Sequence, residues 1–147
     1  MPRTILLAVF AALLIAACRS APSGSEGFRT IASGYHTGIQ AAGLRVARTP
    51  AEWSALWRDH TSQVIPRPPA PVIDFTRELV VCVTAGEKPS GGYGIEVVEA
   101  RFDGTAMVIA TRETRPAEDA IVPLVLTRPY HMVAAPFTDA QFRLERR

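Results

Sequence analysis

Three histidines, a serine near a lysine and two cysteines are the residues whose types could support catalysis or metal binding in this chain of 147 residues. His36, His60 and His131 stand alone, and no His-x-His, Cys-x-x-Cys or His-Glu-x-x-His occurs. Those spacings place two ligands on one helix face or one turn, so neither a metal nor a cofactor is expected. His60 follows Asp59 where a helix should end, and an imidazolium there would interact favourably with the helix dipole. Ser90 lies two residues beyond Lys88, a spacing that points both side chains the same way on an extended chain. A Ser-Lys nucleophile and a pair of exposed loop residues both fit, and the second is the reading taken. Cys82 sits within Leu79-Val-Val-Cys-Val83, where a small buried hydrophobe fits better than a reactive thiol, which needs a nearby base and partial exposure. Gly91-Gly92 lack the Lys-Ser/Thr ending of a phosphate loop and open a strand, so they offer no helix N-terminal amides. Glu118-Asp119, the one adjacent acidic pair, reads as solvated. No residue is assigned a catalytic role, and the chain is read as a non-enzyme.

The N-terminus carries chemistry of another kind. Arg3 precedes an unbroken apolar run from Ile5 to Ala17, the charge and h-region of a secretory signal. The run is too short for a spanning helix, which needs about 20 apolar residues. It ends Leu14-Ile-Ala-Ala-Cys18, and this resembles the lipobox of bacterial lipoproteins, whose cysteine is acylated and becomes the new N-terminus. An ordinary signal peptide with Cys18 kept as a thiol is the alternative. Each buried methylene contributes about 0.8 kcal/mol, so two or more acyl chains hold stably where one binds reversibly. An acidic residue after such a cysteine favours the inner membrane, and Arg19 in its place leans toward the outer membrane. The resemblance thus implies a signal peptide over 1–17, lipidation at Cys18 and an envelope location. Ser20-Ala-Pro-Ser-Gly-Ser-Glu-Gly27 then reads as a flexible tether, completing a segment of 18–27.

Residues 28–147 are long enough to bury one core as a single domain. Of sixteen Lys and Arg, Arg3 leaves with the leader, so the mature charge nearly balances fourteen Asp and Glu. Nothing in such a balance suggests a nucleic-acid surface. With Cys18 lipidated, Cys82 has no partner for an intrachain disulfide.

The periodicities predict short strands and one helix. Ile31–Ile39 reads as an irregular strand and Leu44–Arg48 as a half-buried one. Thr49 as N-cap, Pro50 at N1 and Glu52 at N3 form a capping box. Trp53, Leu56 and Trp57 then fall on one stripe, either packed in the core or forming a ligand platform. Four prolines between 66 and 71 make an extended connector. Leu79–Ala85, apolar on both faces, reads as a covered central strand. Tyr93–Phe102 and Thr105–Thr114 are strands joined by an Asp103-Gly104 turn. That pairing opposes Val98 to Ile109 and Ala100 to Met107 on one face, with Val97 to Ala110 and Glu99 to Val108 on the other. Ile121–Leu126, Tyr130–Ala135 and Gln141–Leu144 supply the last strands. The expected fold is β-rich α+β: an antiparallel sheet or partly open sandwich with one short capping helix.

One string is distinctive: Ala85-Gly-Glu-Lys-Pro-Ser-Gly-Gly-Tyr-Gly-Ile-Glu-Val97, followed by Thr127-Arg-Pro-Tyr-His-Met-Val133. Together with Glu52-Trp53, Leu56-Trp57 and Asp74-Phe75, it resembles the PrcB C-terminal domain family, named for a subunit of a spirochaetal surface protease complex. The hallmark is Gly-x-x-Pro-Thr-Gly-Gly-Tyr after an apolar strand, here with Ser90 for threonine. The resemblance spans about Phe28 to Leu144. It implies a non-catalytic accessory or stabilising subunit whose partner is a secreted or surface protease. An envelope module with a structural, small-ligand or peptide-binding role and no protease partner is the competing reading. Lys88, Pro89, Ser90, Gly91, Gly92 and Tyr93, with Arg128 and Tyr130, are the candidate binding residues. Tyr93, Tyr130 and Arg128 are types enriched at binding hot spots; alternatively, the glycines serve the turn and both tyrosines pack in the sheet.

Overall fold

The computed structural model describes residues 27–147. The expected export leader, the expected lipidation site Cys18 and the expected tether as far as Glu26 lie outside the described residues. Seven strands and one helix follow in order: β1 (Arg29–Gly34), β2 (Gly43–Ala47), α1 (Pro50–His60), β3 (Glu78–Thr84), β4 (Gly94–Phe102), β5 (Ala106–Thr114), β6 (Tyr130–Pro136) and β7 (Gln141–Arg146). They build two sheets, one ordered β1-β6-β3-β2 and antiparallel throughout, the other ordered β4-β5-β7. In the second sheet β4 pairs antiparallel with β5, and β7 pairs parallel to it. The expected β-rich fold with a single short helix is what forms, as a sandwich of four strands over three.

The apolar run of β3 explains the layering. Leu79, Val81 and Val83 face the second sheet, where they meet Ile95, Val97 and Ala100 of β4 and Met107 and Ile109 of β5, alongside Val133 and Ala135 of the neighbouring strand β6. Val80 and Cys82 face the other way, against Trp53 and Leu56 of α1 and Tyr130 and Met132 of β6. Every residue from Leu79 to Thr84 is buried. A strand lined with apolar side chains on both faces is stable only between two covering layers.

The helix starts as its sequence dictates. Thr49 Oγ1 accepts from the Glu52 N–H at 3.2 Å, satisfying one of the N-terminal amides that lack an intrahelical partner. The return bond from Glu52 lands one residue earlier than a capping box requires, on the Arg48 N–H at 2.7 Å. Trp53 and Leu56 are buried and Trp57 is half-buried, so the stripe is core. Its indoles also hold the proline connector: Trp53 Nε1 donates to the Pro71 carbonyl and Trp57 Nε1 to that of Pro68, each at 2.9 Å.

Four local expectations are corrected. The first strand is Arg29–Gly34, not Ile31–Ile39; beyond Gly34 the chain leaves the sheet, and Thr37 turns in to meet His60. The hairpin is centred on Gly104-Thr105 rather than Asp103-Gly104. Asp103 Oδ1 accepts from the Thr105 and Ala106 amides at 2.9 and 2.8 Å, and Gly104 takes φ 95°, which a side chain disfavours. Phe102 therefore opposes Met107, and Ala100 opposes Ile109. A bulge at Val98 then shifts the register and inverts the alternation, which brings Val97 onto the same inward face as Ala100. Finally, Ile121–Leu126 is a loop, because Pro123 removes an amide from the middle of any ladder there.

Ion pairs cover the outward side of β5. Val108 and Ala110 are fully buried there, flanked in register by Arg101 and Glu99 of β4 and by Arg143 and Glu145 of β7. Arg101 Nη2 reaches Glu145 Oε2 at 2.9 Å. Long charged side chains lay their methylene stems over apolar surface in this way.

Candidate functional site

The Gly-Gly-Tyr loop runs from the end of β3 to the start of β4, and a long connection from β5 to β6 lies against it. Backbone bonds tie the two together. Lys88 and Thr127 exchange N–H and C=O at 2.8 and 3.0 Å, and Gly91 N–H donates to the Pro123 carbonyl at 2.9 Å. Thr127 Oγ1 adds a bond to the Ser90 carbonyl at 2.8 Å. Gly92 is required by its backbone and by close approach, and Gly91 is closely approached. A Cβ on Gly92, which has φ 83°, would stand 2.9 Å from Pro116 Cβ, and one on Gly91 would stand 3.1 Å from Pro123 Cδ. The string singled out in the sequence therefore fits two loops to each other.

The candidate residues divide into exposed and structural ones. Lys88 places its ammonium 5.7 Å from the centroid of the Tyr93 ring, a cation–π contact, and Pro89 beside it is exposed. Arg128 forms an ion pair with Glu87, Nη2 to Oε2 at 2.6 Å. Ser90 is buried, and its hydroxyl donates to the Gly91 carbonyl at 3.0 Å. Ser90 is thus not the exposed loop residue expected from the sequence: its hydrogen bonds are to Gly91 and Thr127, and Lys88 turns to Tyr93. Tyr130 is packed rather than displayed: it is 9% exposed, its ring centroid lies 4.4 Å from that of His60, and it contributes to the wall of a cleft between β1 and β4. Burial raises its phenol pKa.

Both buried histidines depart from the surface picture. His60 is buried under Trp57 and Tyr130, with Nδ1 3.0 Å from Thr37 Oγ1. Burial lowers its pKa, so the neutral ring replaces the expected imidazolium at the helix end. His131 is 5% exposed and joins three strands. Its Nδ1 accepts from the Val97 N–H of β4 at 2.9 Å, and its Nε2 lies 2.9 Å from Thr30 Oγ1 of β1. An Nδ1 that accepts carries no proton, so the ring is neutral with Nε2–H donating to Thr30. Burial lowers its pKa against a smaller opposing pull from Glu96. Cys82 is fully buried, and burial pushes its thiol up to about 12; it stays protonated and packs as an apolar group. No cluster of three metal-ligating side chains occurs among the described residues.

Two surfaces escaped the sequence. Ile121 and Leu124 are almost wholly exposed on the braced connection, with Val125 and Leu126 about half exposed. A cleft of about 420 Å³ opens where β1 faces the beginning of β4, lined among others by Thr30, Ser33, Tyr35, Ile95, Glu96 and His131. Pro123 inside an apolar run was the available signal for the first. Nothing in the sequence marks the second, because it arises from which strands end up at sheet edges.

The fold and these loops define a helix-backed β-sandwich whose most elaborated surface is a pair of interlocked loops, held to each other by backbone hydrogen bonds. Comparison with known families is specific: residues 79–136 match the family described as PrcB C-terminal. The match runs from β3 through β6, includes both loops, and bears out the resemblance over that segment. No curated protein and no solved structure matches the chain.

Proposed function

We propose that this protein is a non-catalytic accessory subunit that binds and stabilises a protease of the bacterial envelope, held there by lipid on Cys18. The match of residues 79–136 to the PrcB C-terminal family carries the reading, since that family is named for a subunit of a protease complex. The braced loops support it physically. Hydrogen bonds at Lys88, Ser90, Gly91 and Thr127 hold Tyr93 and the exposed aliphatics of 121–126 in place before any partner arrives, which lowers the entropy lost on binding. The anchor adds a second effect. A short leash raises the local concentration of a partner on the same membrane to the millimolar range, so a modest contact suffices.

Deleting the gene and measuring envelope proteases by quantitative mass spectrometry tests the reading. One protease should fall several-fold in abundance and recover with the wild-type gene. Recovery should fail with Cys18→Ser, which removes the acylation site. Unchanged protease levels in the deletion strain would refute a stabilising role.

A further inference from the structure

Among the described residues the second sheet has one strand fewer than the first, and a cleft lies between β1 and β4. The first sheet has four strands and the second three. The inward face of β1 beside β4 is polar. Thr30 lies opposite Val133 and Ser33 opposite His131, and both Thr30 and Ser33 are exposed. A four-over-four sandwich would cover them.

The wall of the cleft is a strand edge. Val97 N–H bonds to His131 on β6, away from β5. Alternate residues of an antiparallel strand direct their N–H and C=O to the same side, and the register is unbroken from Gly94 to Val97. Ile95 therefore directs both its N–H and its C=O outward, into the cleft. No hydrogen bond outside the strand ladders engages Ile95 among the described residues. Further along β4 the edge is guarded, by the bulge at Val98 and the charges of Glu99 and Arg101, the devices by which proteins prevent unwanted pairing. The stretch from Gly94 to Val97 has no bulge, and its one charge, Glu96, is held by Arg112 at 2.9 Å.

We infer that the cleft receives an extended polypeptide segment, which pairs with β4 at Ile95 as a fourth strand of the second sheet and lies over Thr30 and Ser33. Strand addition of this kind takes its affinity from main-chain bonds and its selectivity from alternate side chains. Here the side chains turned toward β1 meet two hydroxyls, so small or polar residues fit. His131 closes the inner end by keeping Val97 N–H, which limits the segment to the few residues that about 420 Å³ accommodates. Tyr35 stands exposed at the rim, and Tyr93 immediately precedes β4, so the Gly-Gly-Tyr loop leads into the mouth. The inference rests on the accessory-subunit reading for the source of the segment, an exposed extended stretch of the partner protease.

The test uses the full mature chain, lipid included, in detergent micelles, panned against a phage-displayed library of random linear peptides. Recovered peptides should slow amide exchange at Ile95 about tenfold or more. Ser33→Trp, which fills the cleft from an exposed position, should weaken their binding by about tenfold or more. Ser33→Arg should act likewise, while Arg143→Trp on β7 should leave binding unchanged. Peptides that leave Ile95 exchange unaltered, or that bind Ser33→Trp as well as wild type, would overturn the inference. So would faster Ile95 exchange on deletion of residues 19–26 without peptide, since the chain's own tether would then be the occupant. A protease captured equally by wild type and Ser33→Trp would retain the partner reading and remove the cleft. Peptides held at the cleft with no protease captured would do the reverse.

Discussion

Replacing His131 by phenylalanine isolates the contact that joins the two sheets. Phenylalanine keeps a ring in the buried site but accepts no hydrogen bond, so the Val97 N–H, now bonded at 2.9 Å, is left unsatisfied beside the core. A buried donor stranded in this way costs about 1–3 kcal/mol. The Thr30 hydroxyl is exposed and turns to water, so its loss adds little. For a domain of this size about 1 kcal/mol moves Tm by roughly 3–6 °C, and urea unfolding at about pH 7.5 reads the difference directly. The pH profile supplies a second signature. Folded His131 has a lowered pKa, so below about pH 6.5 the unfolded chain binds a proton that the folded chain refuses. Stability is therefore complete above that pH and declines as pH falls toward the folded value. His60 is shifted in the same direction by burial, and each histidine contributes at most about 1.4 kcal/mol per pH unit. Asp74, Glu78, Asp103 and Glu145 are all held below the ordinary carboxylate range, chiefly by bonds from Thr76, Arg29, the Ala106 amide and Arg147 respectively, so they titrate at lower pH. Wild type should lose stability between about pH 6.5 and 5, and His131→Phe should retain only the His60 part of that slope. A variant within about 0.5 kcal/mol of wild type, with the wild-type slope intact, would refute the role assigned to His131.

Other perturbations follow from single contacts. Trp53→Ala should cost about 3–5 kcal/mol in urea unfolding, since it empties the seat between α1 and β3 and frees the connector at Pro71. Thr49→Ala should cost about 1 kcal/mol through the lost cap on the Glu52 amide, with the fold retained by circular dichroism. Gly92→Ala forces a side chain into φ 83° against Pro116; beyond a strain of about 1–2 kcal/mol, proteolysis should speed within the connection from β5 to β6. In a Cys18→Ser form, Cys82 should react with a thiol reagent only as fast as the protein unfolds, because its pKa of about 12 and full burial withhold the thiolate.

The sequence was most readable where one local rule governed the outcome. Thr49-Pro50 with Trp53 and Leu56 specified the helix and its buried face, and Leu79–Ala85 specified a strand covered twice. Reading failed where tertiary geometry intervened. The Asp103 side chain accepts from the Thr105 and Ala106 amides where the turn moved by one residue, and the bulge at Val98 shifted the register of β4 against β5. His60 and Tyr130 look like surface residues in one dimension, yet they stack on each other because the end of α1 lies over the start of β6. The Gly-Gly-Tyr string was visible as a special segment, but its fit to Pro116 and Pro123 was not, since those contacts join residues more than twenty positions apart in sequence. The cleft at Ile95 is a property of sheet order alone.

Affinity capture tests the central claim most directly. The full chain, cross-linked in living cells and purified from solubilised envelopes, should bring down one protease in near-stoichiometric amount, and the Cys18→Ser form, which lacks the proposed acylation site, should bring down far less. Purification of the wild-type chain free of any protease, with cross-links confined to other envelope components, would contradict it.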